Sequence, residues 1–196
     1  MRAYLLPVFT YLLGSVSFAI LVARVFRIED PRRTGSKNPG ATNILRYGGK
    51  AAAVATLAGD ILKGVFAVLA ARAFSDSDAV IALSMLGVFA GHLFPVFHGF
   101  QGGKGVATAF GALAALDWRV GLALIGAWLG VALVFRYSSL AALSAAFAAP
   151  VLVAFLKPGP VFLYAVTTTV MGAALIWRHQ SNIRNLLSGR EGKIGQ

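Results

Sequence analysis

The sequence predicts an all-α, polytopic integral membrane protein, and three observations carry that prediction. Apolar residues fill 58% of the 196 positions and charged residues only 13%, against about 25% charged in an ordinary soluble domain. The apolar residues come in blocks close to the roughly 20 residues that a helix needs to cross a bilayer. Basic residues gather in alternate loops between these blocks, the pattern that sets membrane orientation. A single domain, 1–196, is expected, because the spans leave no room for a second.

Seven runs are candidate transmembrane helices: 4–23, 51–72, 79–97, 105–117, 120–135, 139–156 and 160–177. The first follows Met1-Arg2-Ala3-Tyr4 without an obvious small-residue cleavage site, so it reads as a retained helix rather than a signal peptide. Its Gly14-Ser15-Val16-Ser17 stretch suits close helix packing. The second carries Asp60 and Lys63 at i,i+3. Charges inside a membrane are costly, which favours a mutual pair that pins this helix to its neighbours. His92, near the end of the third run, reads as a satisfied core histidine. The fourth run is short for a full crossing. Trp118 and Trp177 fit as interface anchors of the fifth and seventh.

Loop charge sets the topology. Arg24, Arg27, Arg32, Arg33, Lys37, Arg46, Lys50, Lys104, Arg136, Arg178, Arg184, Arg190 and Lys193 fall on one side, and Arg2, Arg72, Arg119 and Lys157 on the other. Thirteen cations against four predict an external N-terminus and a cytoplasmic C-terminus, given seven spans. The net charge of +11 is therefore a topology signal, and no nucleic-acid partner is expected. The absence of cysteine excludes disulfides, a thiolate nucleophile and Cys-ligated zinc.

Two glycine-rich loops lie on the expected cytoplasmic face, and glycine runs let backbone N–H groups converge on an anion, most often phosphate. In Gly35-Ser36-Lys37-Asn38-Pro39-Gly40-Ala41-Thr42-Asn43, Asn38 and Pro39 suit the N-cap and first position of a helix. Gly40, Thr42 and Asn43 would then occupy its opening turn, with Arg46 beyond, offering backbone, hydroxyl, carboxamide and guanidinium donors. The second loop, Phe100-Gln101-Gly102-Gly103-Lys104-Gly105-Val106-Ala107-Thr108, has a glycine cradle and a lysine. It is no Walker A motif, because His98 stands where the first glycine is required. On the same face, His179 and Asn182 at i,i+3 offer polar groups to a substrate hydroxyl. Ile183, Leu186 and Leu187 could lie on the membrane while Arg184 and Arg190 meet headgroups.

These residues resemble the bacterial acyl-phosphate:glycerol-3-phosphate acyltransferases, the PlsY family. The likeness runs through Gly14-Ser15, the 35–46 loop, Gly59-Asp60-Ile61-Leu62-Lys63-Gly64, Gly91-His92 through Thr108, Ser139-Leu140-Ala141, Arg178-His179, and Asn182-Ile183 through Gly189-Arg190-Glu191. Lys37 departs from the pattern, which has a small residue there, commonly glycine.

The resemblance implies transfer of a fatty acyl group from acyl phosphate to the 1-hydroxyl of sn-glycerol 3-phosphate, giving 1-acyl-glycerol 3-phosphate and phosphate, the first step of phospholipid synthesis. It implies that Ser36, Arg46, Lys104, His179 and Asn182 engage glycerol 3-phosphate, with Lys104, His179 and Asn182 at the catalytic centre. It also implies that the glycine-rich loops, with Asn38, Gly40, Thr42, Asn43, Gly102, Gly103, Gly105, Thr108 and Ser139, complete the binding site. Neither a metal nor a cofactor is expected. Implied partners are the two substrates, membrane lipids and the soluble enzyme that makes acyl phosphate, with the chain acting as a monomer in the bacterial inner membrane. No covalent intermediate is needed, because the donor is already activated. The proton acceptor is either His179 or, preferably, a substrate phosphate oxygen. The His-x4-Asp signature of thioester-using acyltransferases is missing, since Phe97, Gly103 and Arg184 follow the three histidines at that spacing. A small transporter for a phosphorylated solute is the competing class, but it requires polar groups spread through the membrane depth.

Overall fold

A computed structural model of the protein describes residues 2–195, with side chains from Ala3 onward. Arg2, counted among the outer cations, is outside the described side chains. Every regular element among the described residues is helical. Six segments are long and apolar enough to cross a membrane: Ala3–Val25, Gly49–Phe74, Asp78–His98, Trp118–Phe135, Ser138–Leu156 and Val161–Arg178. The helix Val106–Leu116, on the fourth expected span, has 11 residues. At 1.5 Å per residue it is about 16 Å long, roughly half the hydrocarbon thickness.

The chain divides into two compact units that meet in sequence at Ala115 and Leu116. The first begins with α1 (Leu6–Gly14) and α2 (Phe18–Val25). The apolar run 4–23 predicts one continuous helix, yet it breaks at Ser15–Ser17. The reason lies in α4 (Gly49–Phe74), whose buried Lys63 draws two carbonyls of the break onto its ammonium: Nζ lies 3.0 Å from Gly14 O and 2.9 Å from Val16 O. The third partner is Asp60, 2.9 Å away on the same helix, so the expected pair forms and pins α4 to the first span.

Helix α4 also shows why the chain needs a lipid solvent. Ala52, Thr56, Asp60, Lys63, Ala67 and Ala71 form a buried stripe, while Val54, Leu57, Leu62, Phe66 and Leu69 point outward and exposed. That is a helix with its small and polar face inward, as expected where lipid bathes the exterior. Small residues do the close packing. Gly14 of α1 leaves no room for a Cβ against the Val88 backbone of α5 (Asp78–Leu93), and Gly91 of α5 is equally tight against Tyr11 O. Gly64 of α4 and Gly111 of α6 (Val106–Leu116) bring those two helices together in the same way. Between α2 and α4 the chain forms a loop and the short helix α3 (Ala41–Tyr47).

The second unit packs α8 (Ser138–Leu156) against both α7 (Trp118–Phe135) and α9 (Val161–Arg178), followed by the amphipathic α10 (Gln180–Leu187). Pro150 within α8 has no N–H for the carbonyl of Ala146 one turn earlier. Gly172 of α9 faces that carbonyl, where a Cβ would stand a tight 3.1 Å from the oxygen.

Candidate active site

The loop before α3 is organised by one carboxamide. Asn43 is 1% exposed. Its Nδ2 donates to Pro31 O at 3.0 Å and Thr34 O at 2.9 Å, and its Oδ1 accepts the Ser36 N–H at 2.9 Å. Both amide donors of Asn43, expected at the binding site, are thus engaged by the loop backbone, so its side chain shapes the loop. The helix also starts later than expected, at Ala41 with Gly40 as N-cap. The Gly40 N–H turns back to Asn38 O at 3.0 Å across Pro39, so the chain is still extended at residue 40 and that N–H is unavailable to an anion.

Lys37 takes a φ of +57°. That left-handed region explains why a glycine suits the position, since a side chain there costs about 1 kcal/mol. Outside the loop's core, Arg32 grips Asp30 at 2.6 Å and Thr34 donates to Glu29 at 2.6 Å. The Arg32 guanidinium, as donor and as charge, holds the Asp30 carboxyl below its ordinary value. Ser36, Thr42 and Arg46 remain exposed on the loop and its helix, and Asn38 is half-buried.

The second loop is built against His92. Gly103 N–H donates to His92 O at 3.1 Å, and a Cβ on Gly102 or Gly103 would strike the His92–Leu93 backbone or the His92 ring. A Cβ on Gly103 would also stand 2.9 Å from Pro39 O, so the two glycine-rich loops touch. Gly105, with φ +84°, presents the carbonyl that accepts Ala109 N–H and thereby caps α6. Lys104 is half-buried beside that helix start. Lys104 thus precedes by two residues the start of α6, where the positive end of the helix dipole suits an anion. Thr108, expected to bind substrate, is fully buried with Oγ1 3.2 Å from His92 Nδ1. Its hydroxyl belongs to the interior, because one turn into α6 that face points at α5.

In the second unit, His179 is the joint between α9 and α10 rather than a residue within one helix. It is 3% exposed, and its Nδ1 lies 2.8 Å from Leu175 O. A carbonyl only accepts, so Nδ1 carries the proton of this bond. Asn182, in the first turn of α10, donates to Glu191 Oε1 at 2.7 Å, and Ser139 Oγ donates to the same oxygen at 2.6 Å. Ile194 N–H donates to Arg136 O at 2.7 Å, and an Arg136 guanidinium N–H to Ile194 O at 3.0 Å, tying the following segment to the α7–α8 turn. Glu191 was passed over as a site residue by the sequence reading. Its signal was there: it is the only carboxylate after Asp117, set among Arg178, Arg184, Arg190 and Lys193.

Known proteins share this fold. A family model described as glycerol-3-phosphate acyltransferase matches residues 4–189. The chain belongs to the glycerol-3-phosphate acyltransferase family. Among curated members, a glycerol-3-phosphate acyltransferase of Burkholderia orbicola (strain MC0-3) is 53% identical over 199 residues, covering 100% of this chain and 94% of the relative. The crystal structure of PlsY (YgiH), an integral membrane glycerol 3-phosphate acyltransferase, in its glycerol 3-phosphate form superposes with a TM-score of 0.92 at 39% identity, covering 100% of this chain and 96% of that one. The lysophosphatidic acid form of PlsY gives a TM-score of 0.88 at 38% identity, with the same coverage. The likeness thus covers the fold of the whole chain.

Proposed function

We propose that this chain is an integral membrane acyltransferase that transfers a fatty acyl group from acyl phosphate to the 1-hydroxyl of glycerol 3-phosphate. The glycerol oxygen attacks the acyl carbon, the bond from that carbon to the phosphate oxygen breaks, and the hydroxyl proton passes to a phosphate oxygen. The products are 1-acyl-glycerol 3-phosphate and inorganic phosphate. The observation that carries this reading is the meeting of the two glycine-rich loops at Gly103 and Pro39, beside Lys104 and the start of α6. Family membership supplies the acceptor and product, and anion chemistry at that helix start supplies the place for phosphate.

In this scheme Ser36, Arg46 and Lys104 hold phosphate oxygens, while His179 and Asn182 engage glycerol 3-phosphate. His179 lies beside the attacking hydroxyl in this scheme, and Asn182 is oriented by Glu191. The chain works as one catalytic domain. It crosses the bacterial inner membrane seven times, α6 included, with the N-terminus outside and both glycine-rich loops in the cytoplasm, a topology supported by the distribution of basic residues. A soluble enzyme that makes acyl phosphate feeds it, and the chain acts as a monomer without metal or cofactor.

Purified protein given labelled glycerol 3-phosphate with either acyl phosphate or an acyl thioester tests the donor. Product from acyl phosphate alone is expected, and product from the thioester alone overturns the reading. Lys104→Ala and Arg46→Ala should each raise the Michaelis constant for glycerol 3-phosphate at least about tenfold, as loss of uniform substrate binding does. His179→Ala should cut turnover by about a hundredfold. A pH–rate profile that is otherwise unaltered in this variant supports phosphate as the proton acceptor, and a lost neutral-pH limb assigns that role to the histidine.

A further inference from the structure

Beneath the second loop lies a buried row of polar groups that the reaction scheme leaves without a role. Lys63 and Asp60 are 2% and 3% exposed, and His92 is 8% exposed. The row begins at the break in the first span, where the three donors of the Lys63 ammonium meet Gly14 O, Val16 O and Asp60 Oδ1. Asp60 Oδ1 lies 3.5 Å from His92 Nδ1, and the same nitrogen is 3.2 Å from Thr108 Oγ1. The row ends at the loop, where His92 O accepts Gly103 N–H and the other edge of the imidazole ring lies against Gly103 Cα. Four helical elements, α1–α2, α4, α5 and α6, each contribute one side of this cluster.

Such a row is expensive to bury and contributes little stability beyond what an apolar packing would give. What it does supply is direction. A charged lysine fixes the carboxylate, the carboxylate and threonine fix the ring, and the ring and its own carbonyl fix the peptide that precedes Lys104.

We infer that His92 is a positioning residue for substrate phosphate, with Asp60 and Lys63 as its support: it sets the backbone at Gly103 and so aims Lys104 and the start of α6. The inference rests on the reading of this loop as a phosphate holder. His92 touches neither substrate. It differs from a residue that merely stabilises the fold because its effect must pass through Lys104.

A double-mutant cycle tests this. In His92→Asn the side-chain amide nitrogen replaces Nδ1 beside Asp60 and Thr108, while nothing replaces the ring edge against Gly103. This variant should raise the Michaelis constant for glycerol 3-phosphate about tenfold with turnover changed less than about twofold, the mark of lost uniform binding. Placed on Lys104→Ala, it should raise the constant by less than about twofold more, because its route of action is gone. His92→Ala should behave alike where it folds, and His92→Asn carries the test where it does not. An unaltered Michaelis constant in His92→Asn overturns the inference, as does a tenfold effect that persists in the Lys104→Ala background. If Lys104→Ala alone leaves the constant unchanged, the phosphate-holding reading of the loop fails first and takes this inference with it.

Discussion

The 29–47 loop and the 179–194 segment carry comparable residue types, yet they are held in opposite ways. The loop is supported from within: a buried neutral carboxamide, Asn43, gathers its backbone, and the neighbouring glycine loop sits on His92, Asp60 and Lys63. The segment is held through charged side chains: Asn182 and Ser139 converge on the Glu191 carboxylate, and Arg136 exchanges hydrogen bonds with Ile194. The difference separates two kinds of failure. Damage to the interior row should unfold or misplace the loop, whereas damage at Glu191 should release Asn182 while the helices persist.

The largest expected effect is at Lys63. Lys63→Met leaves the Asp60 carboxylate buried without its partner and should cost about 3–5 kcal/mol, read as a fall in thermal unfolding temperature in detergent. The double variant Asp60→Asn, Lys63→Met should recover part of that loss. If the double variant is less stable than Lys63→Met alone, the interior pair is not what supports this region.

Next in size is Asn43→Asp. The carboxylate still accepts the Ser36 N–H but has no donors for Pro31 O and Thr34 O, so about 2 kcal/mol should be lost. Limited proteolysis at residues 31–37 should speed up, and a loop as resistant as the parent's would show that the carboxamide is not its organiser.

Glu191→Ala should lower turnover more than stability, with a stability loss of about 1 kcal/mol. Glu191→Gln, whose amide oxygen still accepts from Ser139 and Asn182, should restore most of the activity. Equal damage from both variants would assign the role to charge rather than to acceptance.

The smallest effect is at Asp30. Arg32 depresses its carboxyl, so this contact favours the folded state at pH values above the ordinary carboxyl range. The contribution fades as pH falls from 3.8 through the lower folded value. For a pair still open to solvent screening it should be below about 0.5 kcal/mol, so Asp30→Asn should scarcely change the unfolding temperature at neutral pH.

How much of this was legible in the sequence varied with the range of the causes. Span boundaries follow local apolar runs, and those read as 120–135, 139–156 and 160–177 form helices at Trp118–Phe135, Ser138–Leu156 and Val161–Arg178. The Asp60–Lys63 pair was legible because its partners share one helix turn. The break at Ser15–Ser17 was not, since Gly14-Ser15-Val16-Ser17 equally suits a continuous, closely packed helix and the cation that captures its carbonyls lies 47 and 49 residues away. Glu191 and Ser139 are 52 residues apart, and no local pattern joins them. Of the candidate site residues, the donor types were legible but their directions were not. Asn43 and Thr108 turn inward because of neighbours from other elements, while Ser36, Thr42 and Arg46 stay on the surface.

The interrupted first helix has a consequence for how the chain enters a bilayer. Alone in hydrocarbon, α4 would bring an ammonium and a carboxylate with nothing beyond each other to satisfy them. The first segment, opened at residues 14 and 16, supplies the carbonyls that the ammonium lacks. The two segments should therefore leave the insertion machinery as a joined pair, which makes the hairpin they form, and not either helix, the unit of membrane assembly.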